Sequence, residues 1–162
     1  MKKLNALLSL LLIVLMLALT AGCGGTVDLG TGTANSSSTN QTELGKYSVV
    51  IDSCRLTKDY DKKDVVIVKY IFTNVSDDEP AAFYLAFSDN VYQNGVGLNE
   101  AYFLPDSAKY DSGNQTKQIK KGATLNVEVA YELNDKKSDI TVEVEELFSF
   151  SDKKITKTFS IK

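Results

Sequence analysis

Beyond Lys46 the chain alternates apolar and polar residues with a period of two. Leu125, Val127, Val129, Tyr131 and Leu133 alternate with Asn126, Glu128, Ala130 and Glu132, which predicts a strand with one buried face. Ile140, Val142 and Val144 stand in the same relation to Thr141, Glu143 and Glu145, and residues 155–161 repeat the pattern. Near the start, Tyr47, Val49 and Ile51 hold one phase while Cys54 and Leu56 hold the other. A slip of one residue predicts a bulge near Asp52 and Ser53. Residues 65–73 are apolar on both faces apart from Lys69, as in a central strand. Phe83, Leu85 and Phe87 are expected to form another core row. Asn94-Gly95 lies between Val91 and Leu98 and predicts a type I′ hairpin, since both turn residues tolerate positive φ. Residues 99–113 are the least regular and are expected to hold a short helix or an irregular crossover. About seven to nine strands at this spacing, with no long helical pattern, predict an all-β fold, a single antiparallel β-sandwich.

The first 45 residues follow a different pattern. Lys2 and Lys3 precede an apolar run from Ala6 to Leu19, which ends in Thr20-Ala21-Gly22-Cys23. These are the charged, apolar and small-residue regions of a secretory signal. The run is shorter than the roughly 20 residues a membrane span requires, and an uncleaved anchor is the alternative reading. A cysteine directly after small residues resembles the lipobox of bacterial lipoproteins, although Thr20 stands where that motif usually has leucine. The resemblance implies a signal peptide over residues 1–22, cleaved before Cys23, whose sulfur carries diacylglycerol. Two or three acyl chains on one residue give a durable membrane anchor. Residues 23–45 then comprise the lipidated cysteine and a Gly/Ser/Thr/Asn linker expected to be disordered. As a flexible coil the linker reaches roughly 25 Å root-mean-square and about 75 Å when stretched. Residues 46–162 are left as one domain, long enough for a core without cross-links.

Composition removes several function classes. Cleavage takes Lys2 and Lys3 from the 18 basic residues, leaving 16 against 21 acidic ones. A mildly acidic domain argues against nucleic acid as a partner and against a polybasic membrane-binding face. Histidine is absent, which excludes Ser-His-Asp and Cys-His catalysis and the common zinc sites. Cys54 is the one cysteine besides Cys23, so no disulfide is expected within the mature chain. Its place on the apolar phase points to a buried small hydrophobe rather than a reactive thiol.

Three strings, residues 68–74, 92–98 and 120–133, resemble an uncharacterised immunoglobulin-like domain family found on lipoproteins of Gram-positive bacteria. The resemblance runs from about Tyr47 to Ile161. It implies an Ig-like sandwich on the outer face of the cytoplasmic membrane, and it brings no catalytic residues with it.

Short motifs hint at chemistry without completing it. Ser88-Asp89-Asn90 and Ser151-Asp152-Lys153-Lys154 match two motifs of penicillin-binding enzymes, but their order is reversed and Lys-Thr-Gly is missing. Asp59, Asp61 and Asp64 place three carboxylates in one loop, an arrangement suited to calcium. Without the glycine and closing glutamate of an EF-hand, and with Lys62 and Lys63 among them, they read as a solvated hairpin loop. Asp77-Asp78-Glu79-Pro80 is a second acidic loop. Tyr84 and Tyr92 fall off the main apolar rows and are candidates for an exposed recognition surface. Lys117, Lys153, Lys154 and Lys157 are expected to blunt sheet edges. The sequence thus predicts lipidation at Cys23 and no catalytic, metal or cofactor-binding residue. The expected function is a non-enzymatic binding or adaptor module at the extracytoplasmic membrane face, with a protein or cell-wall partner. The alternatives are an accessory subunit or spacer of an envelope complex and, remotely, a hydrolase.

Overall fold

The period-two segments form the strands of two four-stranded antiparallel sheets. In a computed structural model, residues 42–77 and 79–162 are described. The signal peptide, Cys23 and residues 23–41 of the expected linker lie outside these residues. The first sheet holds β1 (Thr42–Leu44), β2 (Tyr47–Lys58), β3 (Asp64–Asn74) and β6 (Thr124–Glu132), in the order β1-β2-β3-β6. The second holds β4 (Phe87–Gln93), β5 (Val96–Gly97), β7 (Ile140–Glu146) and β8 (Lys154–Phe159), in the order β5-β4-β7-β8. Among the described residues no helix is long and apolar enough to cross a membrane.

Several local expectations hold. The register between β2 and β3 shifts between Ile51 and Ser53, so the bulge falls where the apolar phase slips. Asn94 and Gly95 adopt φ of 53° and 77° and join β4 to β5. β3 lies between β2 and β6, with one face toward the inter-sheet core and the other covered by a second cluster, which accounts for its apolar residues on both faces.

Three expectations are corrected. The first sheet begins before Lys46, because Leu44 in β1 is buried in the core and β1 pairs with the start of β2. Leu44 stands alone in a polar stretch, and one apolar residue carries no period. Phe83, Leu85 and Phe87 do not form a strand row. Residues Phe83–Ala86 form a single helical turn, α1, which buries Phe83, Ala86 and Phe87 and leaves Tyr84 and Leu85 exposed. The inward spacing is therefore i, i+3, i+4 rather than i, i+2, i+4. Leu56 has the phase expected of it, opposite Val66, yet is exposed near the end of β2.

The main core lies between the sheets. Val49, Ile51, Val66, Val68, Val127 and Val129 of the first sheet meet Val91, Ile140, Val142 and Val144 of the second. At one end Tyr47, Phe72, Phe83 and Phe87 pack at centroid distances of 5.4–6.1 Å, several edge to face, the favoured aromatic geometry. This end also carries the β1–β2 turn and the loop between β7 and β8. The opposite end carries the β2–β3 and β6–β7 loops. A second, smaller core covers the outer face of the first sheet, where Val65, Ile67 and Ala130 are buried with Ala101 against Leu104 and Tyr110. The irregular segment 99–119 supplies that cover as a strap, with 3-10 turns at Asp106–Ala108 and Ser112–Gln115.

Candidate recognition surfaces

The strap is fixed by polar contacts that begin with the chain's single arginine. Arg55 on β2 reaches across β3 to Glu128 on β6, with Nη1–Oε1 and Nη2–Oε2 distances of 3.0 and 3.1 Å. Its Nη2 also donates to the carbonyls of Ala108 and Lys109 at 3.2 and 2.9 Å. This two-pronged geometry is open to a guanidinium and not to an ammonium. Gln115 Nε2 donates to the Glu128 carbonyl at 2.7 Å and to the Tyr110 hydroxyl at 3.0 Å. Asn114 Nδ2 donates to the Asn126 carbonyl at 3.0 Å. The strap starts alongside β6, where Ala101 N donates to Ala130 O at 2.8 Å. The next two side chains point outward: Tyr102 is 72 % exposed and Phe103 82 %. Two adjacent aromatics therefore stand on a backbone that β6 and Arg55 hold in place.

A second exposed aromatic pair lies away from the strap, at the end of the sandwich that carries the β7–β8 loop. In the loop between β7 and β8, Phe148 is 89 % exposed and Phe150 wholly so. Leu147 N donates to Ala86 O at 2.9 Å, placing the loop beside α1 with its exposed Tyr84 and Leu85. Leu85 also lines an open hollow of about 880 Å³ with Tyr47, Glu79, Pro80 and Ala82.

The inner row of β4 is half polar. Phe87 and Val91 are apolar, but Asp89 and Gln93 share their face. The Tyr131 hydroxyl donates to Asp89 Oδ2. Burial pushes the Asp89 carboxyl above the usual aspartate range, opposed by its hydrogen bonds from tyrosine and reinforced by Glu100. The Tyr70 hydroxyl is fully buried beside this pair, close enough to interact with both Asp89 and Tyr131. Gln93 is satisfied on both sides. Its Nε2 donates to the carbonyls of Asp135 and Ser138, each at 2.9 Å. Its Oε1 accepts from Asn134 N and Asp135 N at 2.9 and 3.1 Å. Asp89 and Gln93 are interior pins, and their inward phase was readable from Phe87 and Val91.

The structure separates most residues singled out in the sequence. Tyr84 lies at the α1 end, whereas Tyr92 lies toward the far end of β4, on the outer face of its sheet. Tyr92 lines a hollow of about 340 Å³ with Asn94, Asp139, Thr141 and Glu143. Strand alternation splits Ser88-Asp89-Asn90, with Ser88 and Asn90 outward and Asp89 inward. Ser151 accepts from Lys153 N at 3.2 Å as a local turn contact. In the acidic loop, Asp59 Oδ1 accepts from Lys63 N at 2.8 Å. Asp64 is paired with Lys58 and Lys136 at 2.8 and 2.9 Å, and hydrogen bonds from these lysines lower its pKa. Asp61 is exposed. Among the described residues no three His, Cys, Asp or Glu side chains are grouped to hold a metal ion. Cys54 is half-buried against the main core, and burial raises its thiol pKa despite nearby Lys157. Lys157 closes the edge at the bulge, where its Nζ donates to the carbonyls of Ile51 and Asp52 at 2.9 and 2.7 Å. Cys23, the predicted lipidation site, lies outside the described residues. The strap aromatics and the Phe148–Phe150 pair were missed, because exposed aromatics in irregular segments have no phase to depart from.

The fold is thus a two-sheet antiparallel β-sandwich with exposed aromatics on its strapped outer face and at the β7–β8 end. The chain belongs to a family known by its domain of unknown function, DUF5067, whose model matches residues 28–146. No curated protein matches. Among solved structures, the chain is similar to that of a candidate lipoprotein from Staphylococcus aureus, with 24 % identity over 72 % of this chain and 84 % of that one, at a TM-score of 0.56. It is also similar to a candidate lipoprotein (ycdA) from Bacillus subtilis, with 17 % identity over 75 % of this chain and 38 % of that one, at a TM-score of 0.55. At these identities the likeness is one of fold.

Proposed function

We propose that this protein is an extracytoplasmic lipoprotein, anchored through Cys23, whose sandwich is a non-enzymatic binding or adaptor module. The observation that carries the binding role is the Tyr102–Phe103 pair, exposed on a strap that Arg55, Glu128 and Gln115 hold rigid. Aromatic anchors on a preorganised backbone are the usual centre of a protein interface, so the partner is an envelope protein that meets this shoulder. The anchoring reading is supported by the small-residue cluster ending at Cys23 and by two structural neighbours described as lipoproteins. Both neighbours come from Gram-positive bacteria, which supports that setting. The Ig-like reading is supported by sheet order. β3 neighbours β6 in one sheet while β4, β7 and β8 are consecutive neighbours in the other, as strands B–E and C–F–G are in that fold. The non-enzymatic reading is supported by the split of Ser88 and Asn90 from Asp89 across the sheet. Mass spectrometry of the protein from membranes tests the anchor. The expected result is an N-terminal peptide that begins at Cys23 and carries acyl chains. A peptide that retains residues 1–22 would overturn it.

A further inference from the structure

The loop between β7 and β8 holds two phenylalanines out of the domain rather than folding them back. Phe148 has a φ of 60°, a left-handed conformation unfavourable for a bulky L-residue. The loop around it is built. Leu147 N donates to Ala86 O, Ser151 N to Ser149 Oγ at 3.1 Å and Lys153 N to Ser151 Oγ at 3.2 Å. Phe148 and Phe150 form a convex tip, and Lys153 and Lys154 follow a few residues behind, with Lys154 also paired to Glu143 at 2.8 Å.

We propose that this tip is a lipid contact, with Phe148 and Phe150 entering the interfacial zone of the bilayer to which the chain is anchored. The inference rests on anchoring at Cys23. Only residues 24–41 separate that cysteine from Thr42, at most about 65 Å of fully extended chain. An anchored domain therefore stays within that reach of the bilayer. Exposed aromatics ahead of lysines match the depth profile of a membrane interface, with rings below the phosphates and ammonium groups among them. The domain is mildly acidic overall, so the contact rests mainly on the aromatic rings and changes little with salt.

The chain has no tryptophan, so Phe150→Trp carries a single fluorescent reporter. Tyr60→Trp, in the exposed loop between β2 and β3 at the other end of the sandwich, is the control. The full chain, exported and purified from membranes, is reconstituted with phosphatidylglycerol vesicles containing bromine-labelled acyl chains. The expected result is that Phe150→Trp shifts to the blue and loses most of its emission while Tyr60→Trp keeps its own. An unquenched Phe150→Trp, or equal quenching of both reporters, overturns the proposal. Co-flotation with vesicles reads anchoring separately. If the chain does not co-float, the anchoring reading fails, and quenching in excess vesicles still decides the loop. Loss of a cross-linked protein in Phe150→Ser, with no quenching in Phe150→Trp, assigns the tip to a protein instead.

Discussion

Asp89 is the residue whose surroundings most constrain the domain. It faces inward between Phe87 and Val91, takes the Tyr131 hydroxyl as its donor, and holds its proton above the usual aspartate range because burial disfavours the charge. A folded-state pKa raised above the unfolded value gives stability that is full below the unfolded pKa and is lost as pH rises through the folded one. Asp64 and Asp135, at the surface, have lowered pKa values and act with the opposite sign, so the term must be isolated by difference. Asp89→Asn keeps the shape and removes the titration. Its melting temperature relative to wild type should rise as pH increases above the usual aspartate range, and a constant gap would contradict this. Asp89's direction was legible in the strand phase, but its donor was not, since Tyr131 lies 42 positions away.

At the scale of elements, strands with one wet and one dry face were plain in the sequence, as was the β2 bulge, because both leave a period or break one. α1 was misread because a single turn is too short to establish its own spacing, and Phe83 and Phe87 fit two periods at once. The strap was legible only as irregularity. Ala101, Leu104, Ala108 and Tyr110 follow neither period, and what fixes them is Arg55, far away on β2. Arg55→Lys therefore tests the strap as an element. It keeps the charge but loses the two-pronged contact with Glu128 and at least one carbonyl contact, at a cost of roughly 1–2 kcal/mol. Hydrogen exchange should show faster exchange across residues 102–115 while amides within β3 and β6 stay protected. Uniform loss of protection would mean that the strap and the sheets open together.

For the whole molecule, the account joins a lipid site, a short tether and a sandwich that presents aromatics on its strapped face and at the β7–β8 end. The proposed address rests on the first 23 residues, which lie outside the described structure. The exposed aromatics of the proposed surface were not legible, because Tyr84 and Tyr92 broke phase visibly while Tyr102, Phe103, Phe148 and Phe150 lie in loops. Placing the partner at the strap shoulder and the bilayer at the β7–β8 tip makes the domain a bridge between the two. The most direct test is cross-linking in intact cells followed by capture and mass spectrometry. It compares tagged wild type with Cys23→Ala and with Tyr102→Ala/Phe103→Ala, two exposed changes that leave the core untouched. The account predicts that one or two envelope proteins are captured by wild type, lost with Cys23→Ala and reduced about tenfold or more by the strap variant, the range of an aromatic hot spot. Equal capture by all three forms, or no protein captured by wild type, would contradict it.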